Sequence, residues 1–435
     1  MKKNLGKKFM LVTSVAMAAA LLIGTTAMAA DKITIRFMNR DVGTDSISMV
    51  TKALLKEFEA QNPNVIIQND SIAEENTYLN KLKADIATGN TPNIFYFPGV
   101  AAVTDWAKAG ILMDLTPVIE GDKEWSGGFV DGSFEIWNLE TFGAKGHWAV
   151  PTSYWPEVMF YNTELFEKAG IAKAPETMDD LYAAIDKLKA AKIIPWAAGA
   201  KDIWRTGHIF NNLIYRSIGV NGMKAIGTRK AKWTDPEVVK ALGVLLDLKN
   251  RGAFEKGFEG IDYGTEQAGF QSGKYAMVCN GAWAIGQNQV SPYKDKFSFF
   301  VFPYFKDKPQ FKDDTVLFPV SLMVNGKLQG QEKELTIKLL KFFTSKAAQE
   351  RKLREAQAFP SRKDVNPDAM DLIPLTKAVI KHMATIKSPG GDYADWDTCN
   401  PLLEKSRAAI VGMLLGNTPE QAAQQIQAEI DKCNE

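Results

Sequence analysis

The chain of 435 residues carries 52 lysines and arginines against 51 aspartates and glutamates, which gives a formal net charge of +1. A chain so nearly neutral has no electrostatic basis for binding nucleic acid or an anionic membrane surface. Its length exceeds what one hydrophobic core usually holds, and it therefore predicts two domains of roughly 150 to 200 residues each.

The segment 1–29 resembles an export signal. Four of its early residues are lysines, residues 10–23 form an apolar run, and Ala27-Met28-Ala29 is a small-x-small cleavage site. We expect cleavage near Ala29, which leaves 48 basic and 51 acidic residues in the mature chain. No cysteine for a lipid anchor lies near that site, and no later segment approaches ~18 consecutive apolar residues. The sequence therefore predicts an exported, soluble protein.

The amino-terminal part of the sequence alternates short strands with amphipathic helices. Apolar residues at 33–37 alternate with polar ones, as in a strand, whereas those at 50–58 recur at helical spacing. A strand at 65–67, a helix from about Glu75 and a strand at 93–97 continue the pattern. This succession predicts an α/β layer fold with a largely parallel sheet.

The same alternation continues towards the carboxyl terminus. Thr177, followed by Asp180 three residues later, predicts the N-cap of a helix. The remaining pattern predicts helices at 236–250 and 332–356, strands at 297–302 and 316–324, and a final helical region.

The three cysteines, Cys279, Cys399 and Cys433, are too few to form a disulfide framework for a chain of this length. Cys399 and Cys433 could pair in an oxidising compartment. Three buried or free thiols are the alternative, and the sequence leaves the choice open.

The sequence matches no familiar catalytic motif. His147, His208 and His382 are isolated from one another and from any cysteine pair, which excludes a zinc site of the His-Glu-x-x-His type. The sequence contains no nucleophile elbow, phosphate-binding loop or dinucleotide-binding glycine motif after a strand. It therefore predicts no cofactor and no catalysis, although two of the many carboxylates could serve a secreted glycosidase.

Three aspartates near the carboxyl terminus, Asp392, Asp395 and Asp397, resemble a fragment of a calcium-binding loop. The glycine and the terminal glutamate of such a loop are missing at the required spacing. We therefore predict no metal site and interpret the segment as a solvated or ligand-facing acidic loop.

Several segments in a fixed order resemble the extracellular solute-binding proteins of bacterial ABC importers, in the sugar-binding group that includes maltose-binding protein. The resemblance covers the whole mature chain. One departure is Asn93, where the family usually has an aspartate after the proline. The segments that carry the resemblance are "LLKEFEAQNPNVII", "KLKADIATGNTPNIFYF", "WAKAGILMDLTPVI", "MFYNTELFEKAGIAKAPETMDDL", "FQSGKYAMVCNGAW", "LLKFFTSKAAQERKL" with "AFPSRKDV", and "LLGNTPEQAAQQIQAEID".

The resemblance implies a type II periplasmic binding protein, in which two α/β lobes close like a hinge on a ligand in the cleft between them. It also implies a monomer in the periplasm that delivers its ligand to the permease subunits of an ABC transporter in the inner membrane. The implied division is an amino-terminal lobe of 30–152 plus 321–365, a carboxyl-terminal lobe of 158–316 plus 370–435, and hinge crossings near 153–157, 317–320 and 361–369.

Trp283 is the first candidate for the ligand site. It follows Asn280-Gly281-Ala282, and such small residues supply little bulk for an indole to pack against. In similar sugar-binding proteins, the tryptophan of a Gly-x-Trp turn lies under a pyranose ring, and Trp283 with Gly281 matches that turn. Packing of Trp283 inside the carboxyl-terminal lobe is the alternative.

Other candidates combine aromatic and polar side chains in segments expected to face the cleft. For each there is a structural alternative: packing at the hinge, a helix cap by Asp202 beside a surface arginine, or a solvated turn after the first strand. For Tyr96 and Phe318 we favour the core. The candidate ligand-binding residues are Tyr154, Trp155 and Glu157; Asp202, Trp204 and Arg205; Asn39, Arg40 and Asp41; and Glu74, Asp392 and Trp396.

The leading hypothesis is therefore a periplasmic binding protein for a sugar or oligosaccharide. The same fold binding a polyamine, a metal ion or a phosphate ester is the first alternative, although Arg40 and Arg205 argue against a polyamine. A secreted glycosidase is the second.

Overall fold

The computed structural model describes residues 32–98, 100–399 and 401–433, so the predicted export signal and its cleavage site lie outside the described residues. The strands are β1 (Ile33–Met38), β2 (Val65–Asn69), β3 (Ile94–Tyr96), β4 (Val150–Asn162), β5 (Ile194–Ala197), β6 (Tyr275–Gly281), β7 (Phe297–Phe300), β8 (Asp314–Val324) and β9 (Ser388–Gly390). In the described part of the chain, no helix is long and apolar enough to span a bilayer.

Helices cover the sheet and connect its strands. Those of the first half are α1 (Ser46–Gln61), α2 (Glu75–Ala87), α3 (Val100–Lys108), α4 (Thr116–Glu120), α5 (Lys123–Ser126), α6 (Thr163–Lys168), α7 (Met178–Ala190) and α8 (Trp204–Gly227). Those of the second half are α9 (Pro236–Asn250), α10 (Tyr263–Gln271), α11 (Ala284–Gln287), α12 (Gly330–Phe343), α13 (Lys346–Ala356), α14 (Pro374–Met383), α15 (Leu402–Leu414) and α16 (Pro419–Lys432).

The strands form one mixed sheet in the order β2-β1-β3-β8-β4-β6-β5, with β7 beside β4 and β9 beside β8. β1 is parallel to β2 and β3, and β5 is parallel to β6. The long strands β4 and β8, however, are antiparallel to each other, and they are antiparallel to β6 and β3 respectively. The prediction of a largely parallel sheet is therefore wrong, because these two strands do not belong to strand-helix-strand units.

Strands β4 and β8 link two separate hydrophobic cores. The first half of β4 pairs with β8 and the second half pairs with β6 and β7. The predicted crossings 153–157 and 317–320 are the segments that pair with each other, with Trp155 opposite Phe318. One core includes Ile35, Phe37, Leu54, Val324 and Leu339, and the other includes Met159, Leu213, Leu245, Met277 and Ile410.

Local signals explain where several helices begin. The Thr177 side chain and the Asp180 carboxylate form the predicted capping box of α7. The prediction of a single helix over 332–356 is wrong. One helix ends at Phe343, and a second helix begins with Ser345 as the N-cap of α13. Ser345 Oγ accepts from the backbone N–H of Ala348 at 3.2 Å, which favours a new helix start over continuation.

The cysteines divide into one pair and one thiol. Cys399 and Cys433 form a disulfide with their Cα atoms 5.6 Å apart, which resolves the alternative that the sequence left open. Cys279 lies in the buried strand β6, and burial raises the pKa of its thiol well above the usual value. This thiol is therefore held in its protonated, unreactive form.

Candidate functional site

A cavity of about 440 Å³ opens where the two cores meet. This volume is within the ~300–1,000 Å³ typical of small-molecule sites. Its lining comes from the carboxyl end of β1, the paired middles of β4 and β8, the start of α8 and the turn after β6. The cavity is therefore built from both halves of the sheet, at strand ends where open α/β folds usually bind ligands.

Aromatic side chains form one wall of the cavity, which we call the aromatic wall. Its members are Trp155, Trp204, Tyr263, Trp283 and Phe318. The rings of Trp155 and Trp283 meet edge to face at 6.2 Å, and the rings of Trp204 and Tyr263 lie 5.0 Å apart. These contacts fix several aromatic faces around one space, an arrangement suited to a ligand with flat apolar faces.

The turn after β6 explains why Trp283 follows small residues. A Cβ atom on Gly281 would lie 1.9 Å from Cζ3 of Trp283, so the indole can occupy its position only above a glycine. Trp283 Nε1 donates a hydrogen bond of 3.0 Å to the Tyr263 hydroxyl. Gly281 itself is a buried strand residue, and its role is to make room for the ring rather than to face the cavity.

Arg205 and Asp202 support the aromatic wall from behind. Arg205 is 1 % exposed, and its Nη2 donates 2.7 Å to Glu266 Oε1 and 2.5 Å to the Cys279 carbonyl oxygen. Its guanidinium lies 4.8 Å from the Trp204 ring centre. The Asp202 carboxylate accepts from the backbone N–H of Tyr263 at 2.7 Å. Both residues were predicted to bind ligand. In the structure they instead contact Trp204 and Tyr263 and hold these two rings of the aromatic wall in place.

Glu157 also lies outside the cavity lining, although Trp155 two residues earlier belongs to it. Its fully buried carboxylate accepts from Asn212 Nδ2 at 2.7 Å, and its other oxygen lies 2.6 Å from His208 Nδ1. His208, unlike Glu157, belongs to the cavity lining. Residues two positions apart lie on the same face of a strand, so the contact with His208, rather than strand alternation, distinguishes Glu157 from Trp155.

Polar residues after β1 form a second wall opposite the first, which we call the polar wall. Asn39, Arg40 and Asp41 line the cavity as predicted, and Glu75 joins them from the start of α2. Arg40 Nη1 donates 2.6 Å to Glu75 Oε2, and Asn39 Nδ2 donates 2.8 Å to Asp41 Oδ2. Burial raises the pKa of the Asp41 carboxyl. Lys352 of α13 lies at the same wall, and burial lowers the pKa of its amine to about 7.

The acidic segment around Asp392 closes one end of the cavity. Asp392 lines the cavity as predicted and accepts from Arg407 Nη2 at 2.8 Å. Burial, together with repulsion from Asp392, raises the pKa of Asp395 well above its usual value. Asp397 instead pairs with Arg229. Among the described residues, no cluster of His, Cys, Asp and Glu side chains has the arrangement of a metal site.

Residues 45–350 match the model of the bacterial extracellular solute-binding protein family. The chain belongs to this family. The Multiple sugar-binding protein of Streptococcus mutans is 24 % identical to it over 307 residues, which is 67 % of each chain. The predicted family resemblance is thereby confirmed.

Solved structures agree with this assignment. A chitin oligosaccharide binding protein superposes with a TM-score of 0.83 at 27 % identity, covering 93 % of this chain and 99 % of that one. A structure from work on xylan utilisation by the thermophilic bacterium Caldanaerobius polysaccharolyticus gives a TM-score of 0.82 at 25 % identity, covering 92 % and 100 %. The predicted type II fold of two α/β lobes is confirmed for this solute-binding protein.

The structure places three other predicted residues of the solute-binding protein outside the cavity lining. The buried Tyr154 turns its hydroxyl towards the Ser133 carbonyl oxygen. Trp396 Nε1 donates 2.9 Å to the Tyr215 hydroxyl on α8. The exposed Glu74 is the N-cap of α2, where hydrogen bonds from Thr77 lower the pKa of its carboxyl. Each side chain satisfies a local structural need instead.

Lining residues of the solute-binding protein that were not predicted from the sequence include four that are carried on helices: His208, Tyr263, Lys352 and Arg407. Position at a helix start was the available signal for Tyr263. Tyr96 and Phe318, for which the core was favoured, are half-buried and also line the cavity.

Proposed function

We propose that this chain is the periplasmic substrate-binding component of an ABC transporter and that it binds a sugar or an oligosaccharide between its two lobes. The observation that carries the proposal is the aromatic wall facing the polar wall across one cavity. A pyranose ring has C–H faces that pack on aromatic planes and a rim of hydroxyls that bond to charged and amide groups. Both requirements are met in the same space.

The charges of the cavity favour a neutral ligand. Arg40 is paired with Glu75 at 2.6 Å and Arg407 with Asp392 at 2.8 Å, so these groups already balance one another. A polyamine would require unpaired carboxylates, and a phosphate ester would require unpaired cations. The paired groups still have free lone pairs and N–H bonds for sugar hydroxyls.

Relatives support the same substrate class. The family matches include a multiple sugar-binding protein and a chitin oligosaccharide binding protein. On this proposal the amino-terminal lobe is 30–152 plus 321–365 and the carboxyl-terminal lobe is 158–316 plus 370–435. The ligand contacts both lobes only when they are closed, so binding shifts the population towards the closed form that the permease subunits recognise. The protein acts as an exported monomer and performs no catalysis.

A thermal-shift screen tests the proposal. The purified mature protein is heated with maltose, xylobiose, chitobiose and longer oligosaccharides, with spermidine and divalent metal ions as the other ligand classes. We expect a saturable rise in melting temperature with one sugar class, because a ligand of the native state alone stabilises it by mass action. A rise with spermidine or a metal ion only would discard the sugar assignment. Release of nitrophenol from chromogenic glycosides would instead indicate a glycosidase.

Replacing Trp283 by alanine should weaken binding of the cognate sugar by at least about tenfold, a loss of roughly 1.4 kcal/mol. The reason is the loss of one aromatic face and of the hydrogen bond to Tyr263. Isothermal titration calorimetry measures the effect. Trp396→Ala is the matched control, because that indole contacts Tyr215 and Lys224 rather than the cavity. Equal affinities of the two variants would remove Trp283 from the site.

A further inference from the structure

The cavity contains one histidine in an unusual setting. His208 is 8 % exposed, and its ring stacks on Phe318 at 4.6 Å and meets the edge of Trp204 at 4.9 Å. These contacts immobilise the imidazole within the aromatic wall, where the other members offer mainly apolar faces. His208 is therefore a fixed polar group where apolar ring faces predominate.

The partners of His208 determine which of its nitrogens faces the cavity. Nδ1 lies 2.6 Å from Glu157 Oε1, and an ionised carboxylate can only accept, so Nδ1 carries the hydrogen. Among the hydrogen bonds of the described residues, none involves Nε2. Nε2 is therefore the ring nitrogen left for a ligand.

The surroundings of Glu157 fix the orientation of the imidazole. This carboxylate is 0 % exposed, and its other contact is the amide of Asn212. A buried carboxylate is costly unless its oxygens accept hydrogen bonds, and Nδ1 of His208 supplies one of them. Turning the ring over would remove that donor, so Nε2 stays the nitrogen that is available to a ligand.

We propose that His208, oriented by Glu157, is a specificity-determining residue that forms a hydrogen bond through Nε2 with a hydroxyl group of the bound sugar. Glu157 is then a positioning residue that acts through His208. This inference rests on the proposed sugar-binding function. It predicts preference for a sugar with a hydroxyl group next to the Trp204 and Phe318 rings.

Other charged groups near His208 are already neutralised. On its own helix, Arg205 is paired with Glu266 of α10 at 2.7 Å. Burial raises the pKa of Tyr263 at the start of α10, and it raises that of Cys279 on β6. Both of these groups therefore stay uncharged at neutral pH.

The charged groups across the cavity are present in every variant compared below. Arg40 pairs with Glu75, Arg407 pairs with Asp392, and Lys352 lies at the polar wall beside Asp41. The difference between wild type and a His208 variant at one pH therefore isolates the contribution of the imidazole.

Calorimetry tests the proposal with chitobiose, xylobiose and maltose as probes. His208→Asn should bind the preferred sugar about tenfold more weakly than wild type, because its amide replaces Nδ1 but not Nε2. His208→Gln, whose amide reaches the place of Nε2, should recover part of the affinity. Glu157→Gln, whose amide oxygen still accepts from Nδ1, should bind more tightly than His208→Asn.

A second measurement follows the ring directly. The chain has three histidines, so nitrogen chemical shifts of the imidazoles can be assigned by comparison with His208→Asn. We expect the Nε2 chemical shift of His208 to change when the preferred sugar is added. An unchanged Nε2 shift in the complex, or equal affinities of His208→Asn and wild type, would overturn the proposal. Failure of all three sugars to bind would instead refute the sugar-binding function.

Discussion

Replacing Arg205 by methionine should lower the free energy of unfolding by about 3–5 kcal/mol, as expected when one partner of a buried ion pair is removed. Arg205 is 1 % exposed and Glu266 is 0 % exposed. Without the guanidinium, the Glu266 carboxylate and the Cys279 carbonyl oxygen lose their donor in a place that water does not reach. Chemical denaturation followed by circular dichroism measures the loss.

Two further variants test the cause of this loss. In Arg205→Met combined with Glu266→Leu neither charge of this pair remains, so much of the lost stability should return. Arg251→Met removes a surface pair with Asp186 and should cost about 1 kcal/mol or less. An equal loss in the single and the double variant would contradict the ion-pair explanation.

The loss of stability in Arg205→Met should also depend on pH. Burial raises the pKa of Glu266, and removal of Arg205 takes away the charge that opposes this rise. An acid whose pKa is higher in the folded state than in the unfolded state destabilises the fold increasingly as pH rises above the unfolded value. Arg205→Met should therefore be closer to wild type in mild acid than at neutral pH.

Lys352→Met, in contrast, should raise the free energy of unfolding of the ligand-free protein. Lys352 is 5 % exposed, and its Nζ donates to the Phe343 carbonyl oxygen at 3.3 Å. Burial lowers the pKa of its amine from 10.5 to about 7. Since each pKa unit corresponds to about 1.36 kcal/mol, keeping the charged amine buried costs on the order of 5 kcal/mol.

The stability that Lys352→Met gains should depend on pH, because the pKa of Lys352 differs between the folded and the unfolded chain. Between pH 7 and 10.5 the unfolded chain holds the proton that the folded chain has released, so wild-type stability rises with pH in that range. The advantage of Lys352→Met should be largest below pH 7 and should shrink as pH approaches 10.5. Denaturation at several pH values measures it. A constant advantage would contradict burial as the cause.

Lys346→Met is the matched control for this prediction. Lys346 is exposed at the start of the same helix, so its replacement should change stability little at any pH. In contrast, Lys352 lines the cavity. Lys352→Met should therefore weaken sugar binding while it stabilises the free protein, as expected for a group retained for function at the expense of stability.

Where the signal is local, the sequence predicts residues that line the cavity. The Gly281-Ala282-Trp283 turn could be interpreted because the missing Cβ and the large ring are two positions apart. The end of β1 could be predicted because strand ends of an α/β fold meet at one edge. Trp204 lines the cavity at the start of α8, whereas Trp155 lines it from the middle of β4.

The sequence alone does not distinguish residues that line the cavity from residues that hold those lining residues in place. Arg205 and Trp204 are neighbours in sequence, and what removes Arg205 from the cavity is Glu266, 61 residues away. Glu157 is likewise removed by His208, 51 residues away. The long-range pairing of β4 with β8, which makes the sheet mixed, is of the same kind. No local pattern contains these partners.

The pairing of Trp155 with Phe318 has a mechanical consequence for the proposed closure. These residues lie on the two strands that join the cores, so a rotation of one lobe against the other moves them least. A sugar resting on them keeps that contact whether the lobes are open or closed, and such a contact adds affinity without favouring either state. The free energy that favours closure must therefore come from contacts with residues that move with each lobe, such as Arg40 in one lobe and Arg407 in the other. On the proposed closure, the affinity for the sugar and the extent of closure are therefore set by different residues.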